Sequence, residues 1–250
     1  MVCLKPREGQ RKMSLFPAKS LELKNGNSRA LLVVPGIGYG PSGRKSMQRF
    51  FRLSSLDLFV PDYIQKSGIN DSVRYLQDYW SKNHLDHYSR VYVFCFIAGG
   101  YVLDRWLQLD APQMSGVLLD RSPYQERAPS IVTNRIPRIA RMLLGDFVFQ
   151  LAAARYPDLW AALKTRGIRP GLVIEEKRSW VIKLFSRDCR KMGPIFWEPT
   201  TFADQYEDFC YVPFDHDSIY SNFHRLAPMI QSFIESGHFG QANRKIPPSQ

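Results

Sequence analysis

Long apolar runs are absent from this sequence. The longest near-apolar run, Val91–Leu103, has thirteen residues and includes two glycines, so it is too short to span a bilayer. Residues 1–24 are basic and lack the apolar stretch that is typical of a signal peptide. We therefore expect a soluble, cytoplasmic protein.

Paired cysteines are also absent. The four cysteines, Cys3, Cys95, Cys189 and Cys210, are widely scattered and form no CxxC spacing. This pattern argues against a disulfide framework and against a zinc site, and it favours a reducing compartment. We expect neither a metal nor a cofactor.

The composition has too little glycine and proline for a fibrous or low-complexity protein, with 16 Gly and 17 Pro in 250 residues. Hydrophobic residues make up 44% and charged residues 23% of the chain, close to globular averages, which excludes a disordered chain. A chain of this length can bury a core without disulfides or metals.

Positive charge is present in excess, with 34 Lys and Arg against 23 Asp and Glu. Much of it lies in residues 1–24 and in Arg121–Arg169, where Arg135, Arg138 and Arg141 recur every three residues beside apolar side chains. Such a basic amphipathic stripe is typical of a surface that binds an anionic ligand or membrane headgroups, or of a helix with one solvated face. Nucleic acid is not favoured, because no aromatic RNA-binding motif is interleaved with the basic residues.

Short apolar runs alternate with segments of helical periodicity along most of the chain. This alternation predicts an α/β fold with a mostly parallel sheet flanked by helices. The predicted strands are Ala30–Pro35, Leu56–Pro61, Arg90–Phe96, Gly116–Leu119, Trp180–Ser186 and Phe209–Pro213, and the predicted helices are Ser46–Leu53, Asp71–Trp80, Tyr101–Leu109 and Asn222–Ile234. We expect a basic tail over residues 1–24, one domain over 25–236 with a helical cap insertion at about 121–178, and a polar tail over 237–250.

Three features carry a resemblance to a known family. A strand enters the glycine turn Gly36–Gly40, and the next strand ends in Val-Pro-Asp-Tyr at residues 60–63. A third strand runs through Cys95-Phe-Ile-Ala-Gly-Gly100 into a helix. An acid, Asp188, and then Asp215-His216-Asp217 follow late in the chain. In these features and their order, the sequence resembles the α/β-hydrolase family over residues 31–235.

The resemblance implies a role for each matching residue. His216 corresponds to the general base and Asp188 to the acid that orients it, with Asp120 as an alternative acid. Backbone groups of Gly36, Ile37 and Ala98 correspond to the oxyanion loop. The nucleophile position falls on Ile97.

Isoleucine has no nucleophilic atom, so the predicted catalytic triad is degenerate. The elbow of this family holds its nucleophile at positive φ, which is costly for a β-branched residue. We therefore predict that Ile97 is either a backbone outlier or lies in a relaxed turn. Cys95, one of the small residues that the tight turn needs, is predicted to be a buried hydrophobe rather than a substitute nucleophile.

Three functions remain open on these residues. The first is a non-catalytic pseudo-hydrolase that binds a small-molecule or acyl ligand under the cap, or serves as a scaffold. The second is a hydrolase- or lyase-type enzyme that uses a His216–Asp188 dyad on an ester-like or small carbonyl substrate. The third is a basic module that binds an anionic membrane or nucleic acid. Oligomeric state is not predicted by the sequence.

A competing motif lies in the same glycine turn. Residues 38–46 come close to the phosphate-binding pattern G-x4-G-K-[ST], but Arg44 is inserted between Gly43 and Lys45. The alternatives are an anion held at the following helix N-terminus or an ordinary glycine turn before a basic helix.

Overall fold

A seven-stranded sheet crosses the part of the chain that the structure describes. The structure is a computed structural model that describes residues 20–122, 127–154, 159–191 and 208–240. The strands are β1 (Leu21–Leu23), β2 (Arg29–Val34), β3 (Asp57–Val60), β4 (Arg90–Cys95), β5 (Gly116–Arg121), β6 (Arg169–Glu175) and β7 (Asp208–Val212). The helices are α1 (Pro41–Leu53), α2 (Ile69–Lys82), α3 (Ile97–Leu109), α4 (Ala128–Arg135), α5 (Pro137–Ala153), α6 (Leu159–Thr165), α7 (Trp180–Leu184), α8 (Ser186–Lys191), α9 (His216–Asn222) and α10 (Ala227–Ser236). Short 3-10 helices span Leu85–His87 and Phe223–Leu226.

The strand order is β1-β3-β2-β4-β5-β6-β7. Only β1 runs antiparallel to its neighbour, and the other described pairings are parallel. The register pairs Val34 with Cys95, and Cys95 with Leu119. The carboxyl ends of β2, β4 and β5 therefore meet at one edge of the sheet, where open α/β sheets place their sites.

Both faces of the sheet are covered, which explains why its strands are continuously apolar. On one face the core includes residues of α2, α3 and α6, with Trp106 at full burial. On the other face it includes residues of α1, α9 and α10, with Phe50 and Phe223 at full burial. This two-layered core supports the sheet edge that carries the candidate site.

The predicted mostly parallel sheet flanked by helices is confirmed, but three local predictions are wrong. Trp180–Ser186 is not a strand: Ser179 caps a helix there, because its side chain accepts a hydrogen bond from the Ile182 N–H. Arg169–Glu175 is a sheet strand, so the insertion does not extend to residue 178. Leu21–Leu23 is a strand paired with β3 rather than part of a loose tail.

The two predicted tails lie mostly outside the described residues, namely at 1–19 and 241–250. At the C-terminal side the domain extends past residue 236. Phe239 is buried, its ring stacks on Phe233, and its backbone N–H donates to a carboxylate oxygen of Asp208 at 2.7 Å. Among the described helices, none is both long and apolar enough to cross a bilayer.

Candidate functional site

The turn from β4 into α3 is the first part of the site. Only Phe96 separates the strand from the helix, and its backbone N–H donates to the Val34 carbonyl at 3.0 Å. A Cβ atom placed on Gly99 would lie 2.4 Å from that same carbonyl oxygen. A residue without a side chain is therefore required at position 99, as the predicted elbow alignment demands.

Ile97 is the first residue of α3 and is buried. Among the described residues, His84 is the only non-glycine residue with a positive φ. Ile97 therefore does not carry the strained backbone predicted for a family nucleophile, so of the two predicted outcomes the backbone outlier is wrong and only the backbone of Ile97 itself is relaxed. A β-branched residue avoids the left-handed region in this way, while the strand-to-helix turn itself stays sharp.

His216 is the second part of the site and begins α9. The Asp215 side chain caps this helix by accepting a hydrogen bond from the Ser218 N–H at 2.8 Å. In return, the Ser218 hydroxyl oxygen accepts one from the Asp215 N–H. Only 8% of the His216 side chain is exposed. The capping box therefore fixes the backbone from which the imidazole enters the sheet edge.

The partner of His216 is Glu175, the last residue of β6. Nδ1 of His216 lies 2.9 Å from Oε1 of Glu175, and the Glu175 side chain is fully buried. The predicted His216–Asp188 dyad is not formed. Asp188 lies on α8 and makes a two-point ion pair with Arg135 of α4 instead.

Two further buried polar residues lie beside this pair, Asp120 in β5 and Ser122 directly after that strand. One ligand atom from each of Asp120, Glu175 and His216 lies within 4.8 Å of the others, so the alternative acid Asp120 does belong to the site. Oε1 of Glu175 can accept from Nδ1–H of His216.

Burial governs the protonation of this cluster. It raises the pKa of Glu175 to about 8, against the opposing influence of the neighbouring Asp120 and Ser122 side chains. It also lowers the pKa of His216 below its usual range, although Asp120 and other nearby carboxylates oppose that shift. Both shifts favour uncharged forms, as a desolvated site requires.

The same three side chains are the group best placed to hold a cation within the described part of the chain. One ligand atom from each of Asp120, Glu175 and His216 lies within 4.8 Å of the others. The hydrogen bond between His216 and Glu175 already links two of these groups. That this protein uses no metal stays a prediction.

One backbone donor of the predicted oxyanion loop is already hydrogen-bonded within the protein. The N–H of Gly36 donates to the Tyr220 hydroxyl at 2.9 Å, and both groups are buried. A Cβ atom on Gly36 would lie 2.7 Å from that hydroxyl and 3.7 Å from Nε2 of His216. Nε2 therefore faces the loop, but the Tyr220 hydroxyl already accepts the Gly36 donor.

The oxyanion role of the other two predicted loop residues stays a prediction. Ile37 follows Gly36 and is partly buried. Ala98 lies in the first turn of α3, where N–H groups have no intrahelical acceptor.

Cys95 has no nucleophilic role in this geometry. It is fully buried at the end of β4, and burial raises the pKa of its thiol well above the usual range. A protonated, inaccessible thiol is not a nucleophile.

Part of the phosphate-loop pattern is helical, and an anion at the N-terminus of α1 stays a prediction. α1 begins at Pro41, so Arg44 and Lys45 lie in the helix rather than in a loop that could wrap phosphates. One guanidinium N–H of Arg44 donates to the Ser20 carbonyl, and the Ser46 hydroxyl contacts Nδ1 of His224 at 2.9 Å.

The three arginines predicted to bind an anion lie on α4 and α5. Arg135 pairs with Asp188, and Arg141 pairs with Asp146 at 2.7 Å. Arg138 is exposed on α5.

Sequence reasoning missed Glu175 because it assigned residues 121–178 to one insertion. A signal was present, since Gly171–Glu175 is a short apolar run that ends in an acid. It precedes His216 in the chain, as the family order requires.

Comparisons with known proteins bear on this geometry. No family model matches the chain, and no curated protein matches it. Solved structures do. A metagenome-derived lipolytic enzyme of the LipS and LipT study is similar at a TM-score of 0.58 and 10% identity, covering 88% of this chain and 98% of that one.

Two further structures agree with the first. MGS-MChE2, an α/β hydrolase from a sediment metagenome of the Mar Chica lagoon in Morocco, has a TM-score of 0.54 at 12% identity, covering 87% of this chain and 95% of that one. A lipase-esterase related protein from Clostridium acetobutylicum has a TM-score of 0.53 at 12% identity, covering 86% and 98%. At such low identity these likenesses report on architecture, and with the sheet order and the strand-to-helix turn they confirm that this chain has the α/β-hydrolase fold.

Proposed function

We propose that this protein is a non-catalytic α/β-hydrolase-fold protein that works by binding or as a scaffold. The observation that carries the proposal is Ile97 at the start of α3, where the family fold would place a nucleophile. Acyl transfer by this fold needs a hydroxyl or thiol there. An aliphatic side chain cannot form the covalent intermediate.

The packing around Gly36 supports the same proposal. Catalysis of acyl transfer needs backbone donors that are free to meet a developing oxyanion. Here the Gly36 N–H is engaged by the Tyr220 hydroxyl. The Tyr220 ring stacks on Phe96 at 4.3 Å between centroids and contacts the His216 ring edge to face at 5.5 Å, so aromatic side chains fill the space beside Nε2.

A second function is favoured by one specific observation, the intact hydrogen bond between His216 and Glu175. With Nδ1–H held by the carboxyl group, Nε2 carries the basic lone pair toward the glycine loop. A lowered imidazole pKa keeps that lone pair available near neutral pH. Such a dyad could remove a proton from a small carbonyl substrate, or activate water on an ester, without a covalent step.

Hydrolysis of p-nitrophenyl acetate and butyrate separates the two functions. The set comprises wild type, His216→Ala, Ile97→Ser and the control His87→Ala, whose imidazole is solvent exposed. We expect wild-type turnover no greater than that of His87→Ala and His216→Ala, because surface imidazoles cause the same background. Wild-type turnover that His216→Ala abolishes and His87→Ala preserves would overturn the non-catalytic proposal in favour of the dyad.

The Ile97→Ser variant tests how complete the remaining machinery is. We expect little gain from it alone, since Tyr220 still engages Gly36. A larger gain is expected when Ile97→Ser is combined with Tyr220→Phe, which frees the Gly36 donor. If Ile97→Ser alone turned over as fast as the combined variant, the engaged Gly36 N–H would have no bearing on the lost activity.

A further inference from the structure

Exposed apolar side chains are concentrated in one layer of this protein. Seven large hydrophobic residues are strongly exposed among the described residues, and five of them lie on α4–α5 or on α7. These five are Ile136, Ile139, Met142, Trp180 and Leu184. Concentrations of exposed apolar surface of this kind mark interaction sites.

The α4–α5 corner, residues 134–142, projects from the protein. All of its residues except Ala140 are exposed. Ile136 joins the two helices, and Ile139 and Met142 follow at helical spacing with 48% and 60% of their surface exposed. α5 is interrupted at Gly145, and its second half is anchored in the core through Phe147 and Leu151.

The second exposed set lies on α7, in the same layer. Trp180 and Leu184 are 63% and 66% exposed and share one helix face at a spacing of four residues. The opposite face of α7 buries Ile182 against Ile131 of α4. The Arg135–Asp188 ion pair joins α4 to α8 as well.

Positive charge surrounds these apolar residues. Residues 134–153 and 180–191 together hold seven Lys and Arg against two Asp. In the corner, Arg135, Arg138 and Arg141 alternate with the exposed apolar side chains. Long basic side chains beside Ile, Met, Leu and Trp are the composition of a surface that enters a lipid interface, where the apolar groups reach the acyl boundary and the charges stay among headgroups.

We propose that the α4–α5 corner and α7 together dock this protein on a bilayer that carries anionic lipid. Charge complementarity selects an anionic lipid surface as the occupant. The exposed apolar residues stand on a projecting corner, which suits shallow insertion between headgroups. Both segments follow strands whose ends hold Asp120 and Glu175, so docking would turn the candidate site toward the lipid.

Vesicle sedimentation with the full chain tests the proposal. The vesicles are phosphatidylcholine alone and phosphatidylcholine mixed with phosphatidylserine. We expect wild type to bind the mixed vesicles, and the double variant Ile139→Ser/Met142→Ser to lose about tenfold in partitioning. The matched control is Leu53→Ser/Leu109→Ser, which removes two exposed leucines outside the layer and should bind like wild type.

The electrostatic part is tested with Arg138→Glu and with added salt, each of which should weaken binding to the mixed vesicles. Circular dichroism checks that each variant is folded. The proposal is overturned if wild type stays in the supernatant, if Ile139→Ser/Met142→Ser binds like wild type, or if the leucine control loses as much binding. It is also overturned if wild type is a dimer in solution that Ile139→Ser/Met142→Ser converts to a monomer, because the corner would then contact a second copy.

Discussion

Replacing Glu175 with alanine tests the buried pair at the sheet edge most sharply. The change removes the oxygen that lies 2.9 Å from Nδ1 of His216. A buried donor left without an acceptor costs about 1–3 kcal/mol, and the space left by the truncated side chain adds about 1 kcal/mol. We expect a loss of about 2–4 kcal/mol in the free energy of unfolding, with the melting temperature falling by about 2–4 °C for each kcal/mol.

Urea unfolding provides the assay, and Asp188→Ala provides the comparison. Asp188 pairs with Arg135 at the surface, and exposed ion pairs contribute little to stability, so this variant should unfold like wild type. Nitrogen NMR of the imidazole adds a readout of the pairing itself. The His216 ring signals should change in Glu175→Ala and stay unchanged in Asp188→Ala. An Asp188→Ala variant that unfolds earlier than Glu175→Ala, or that alone shifts the His216 signals, would refute the reasoning.

Three further perturbations address neighbouring parts of the site. Tyr220→Phe leaves the buried Gly36 N–H without its acceptor and should cost about 1–3 kcal/mol in urea unfolding; an unchanged midpoint would contradict the hydrogen bond. Gly99→Ala places a Cβ atom 2.4 Å from the Val34 carbonyl oxygen and should destabilise the fold by about 1–3 kcal/mol; a wild-type melting temperature would show that the turn is looser. Because burial raises the pKa of Glu175 from 4.5 to about 8, the folded protein keeps a proton that the unfolded chain releases, so this group's contribution to stability should fall as the pH rises from 4.5 to about 8. Glu175→Gln should flatten that dependence in urea titrations across the range, and an equally steep dependence in the variant would contradict it.

The sheet was predictable from sequence because its strands are buried on both faces. A strand covered by helices on each side needs apolar residues at every position, and the runs in β2, β3 and β4 show this directly. The tight turn between β4 and α3 was predictable for a different reason. A tight strand-to-helix turn needs small residues at fixed offsets, and Gly99 supplies one of them against Val34.

The acid was not predictable in the same way. Asp188 stands at a plausible point in the chain order. The conformation of residues 180–191 decides where its side chain points, and this segment begins with a helix that Ser179 caps. An apolar run such as Trp180–Ser186 fits a strand or a short helix equally well by periodicity. Glu175 was not predicted, because its strand was assigned to the same helical insertion as the basic segments before it.

The backbone conformation of Ile97 was also not predictable from the local sequence, because it depends on how the turn packs against β2. The turn into α3 keeps its close contact with β2 while Ile97 avoids a positive φ. If position 97 presents no nucleophile, as proposed, no strained backbone is required there.

The central claim is that this site retains its histidine and acid but has no nucleophile. Intact-mass spectrometry after incubation with a fluorophosphonate tests it most directly, because the reagent forms a stable bond with an activated serine hydroxyl. We predict no adduct on wild type and an adduct on Ile97→Ser combined with Tyr220→Phe. A stoichiometric adduct on wild type that His216→Ala removes would contradict the claim.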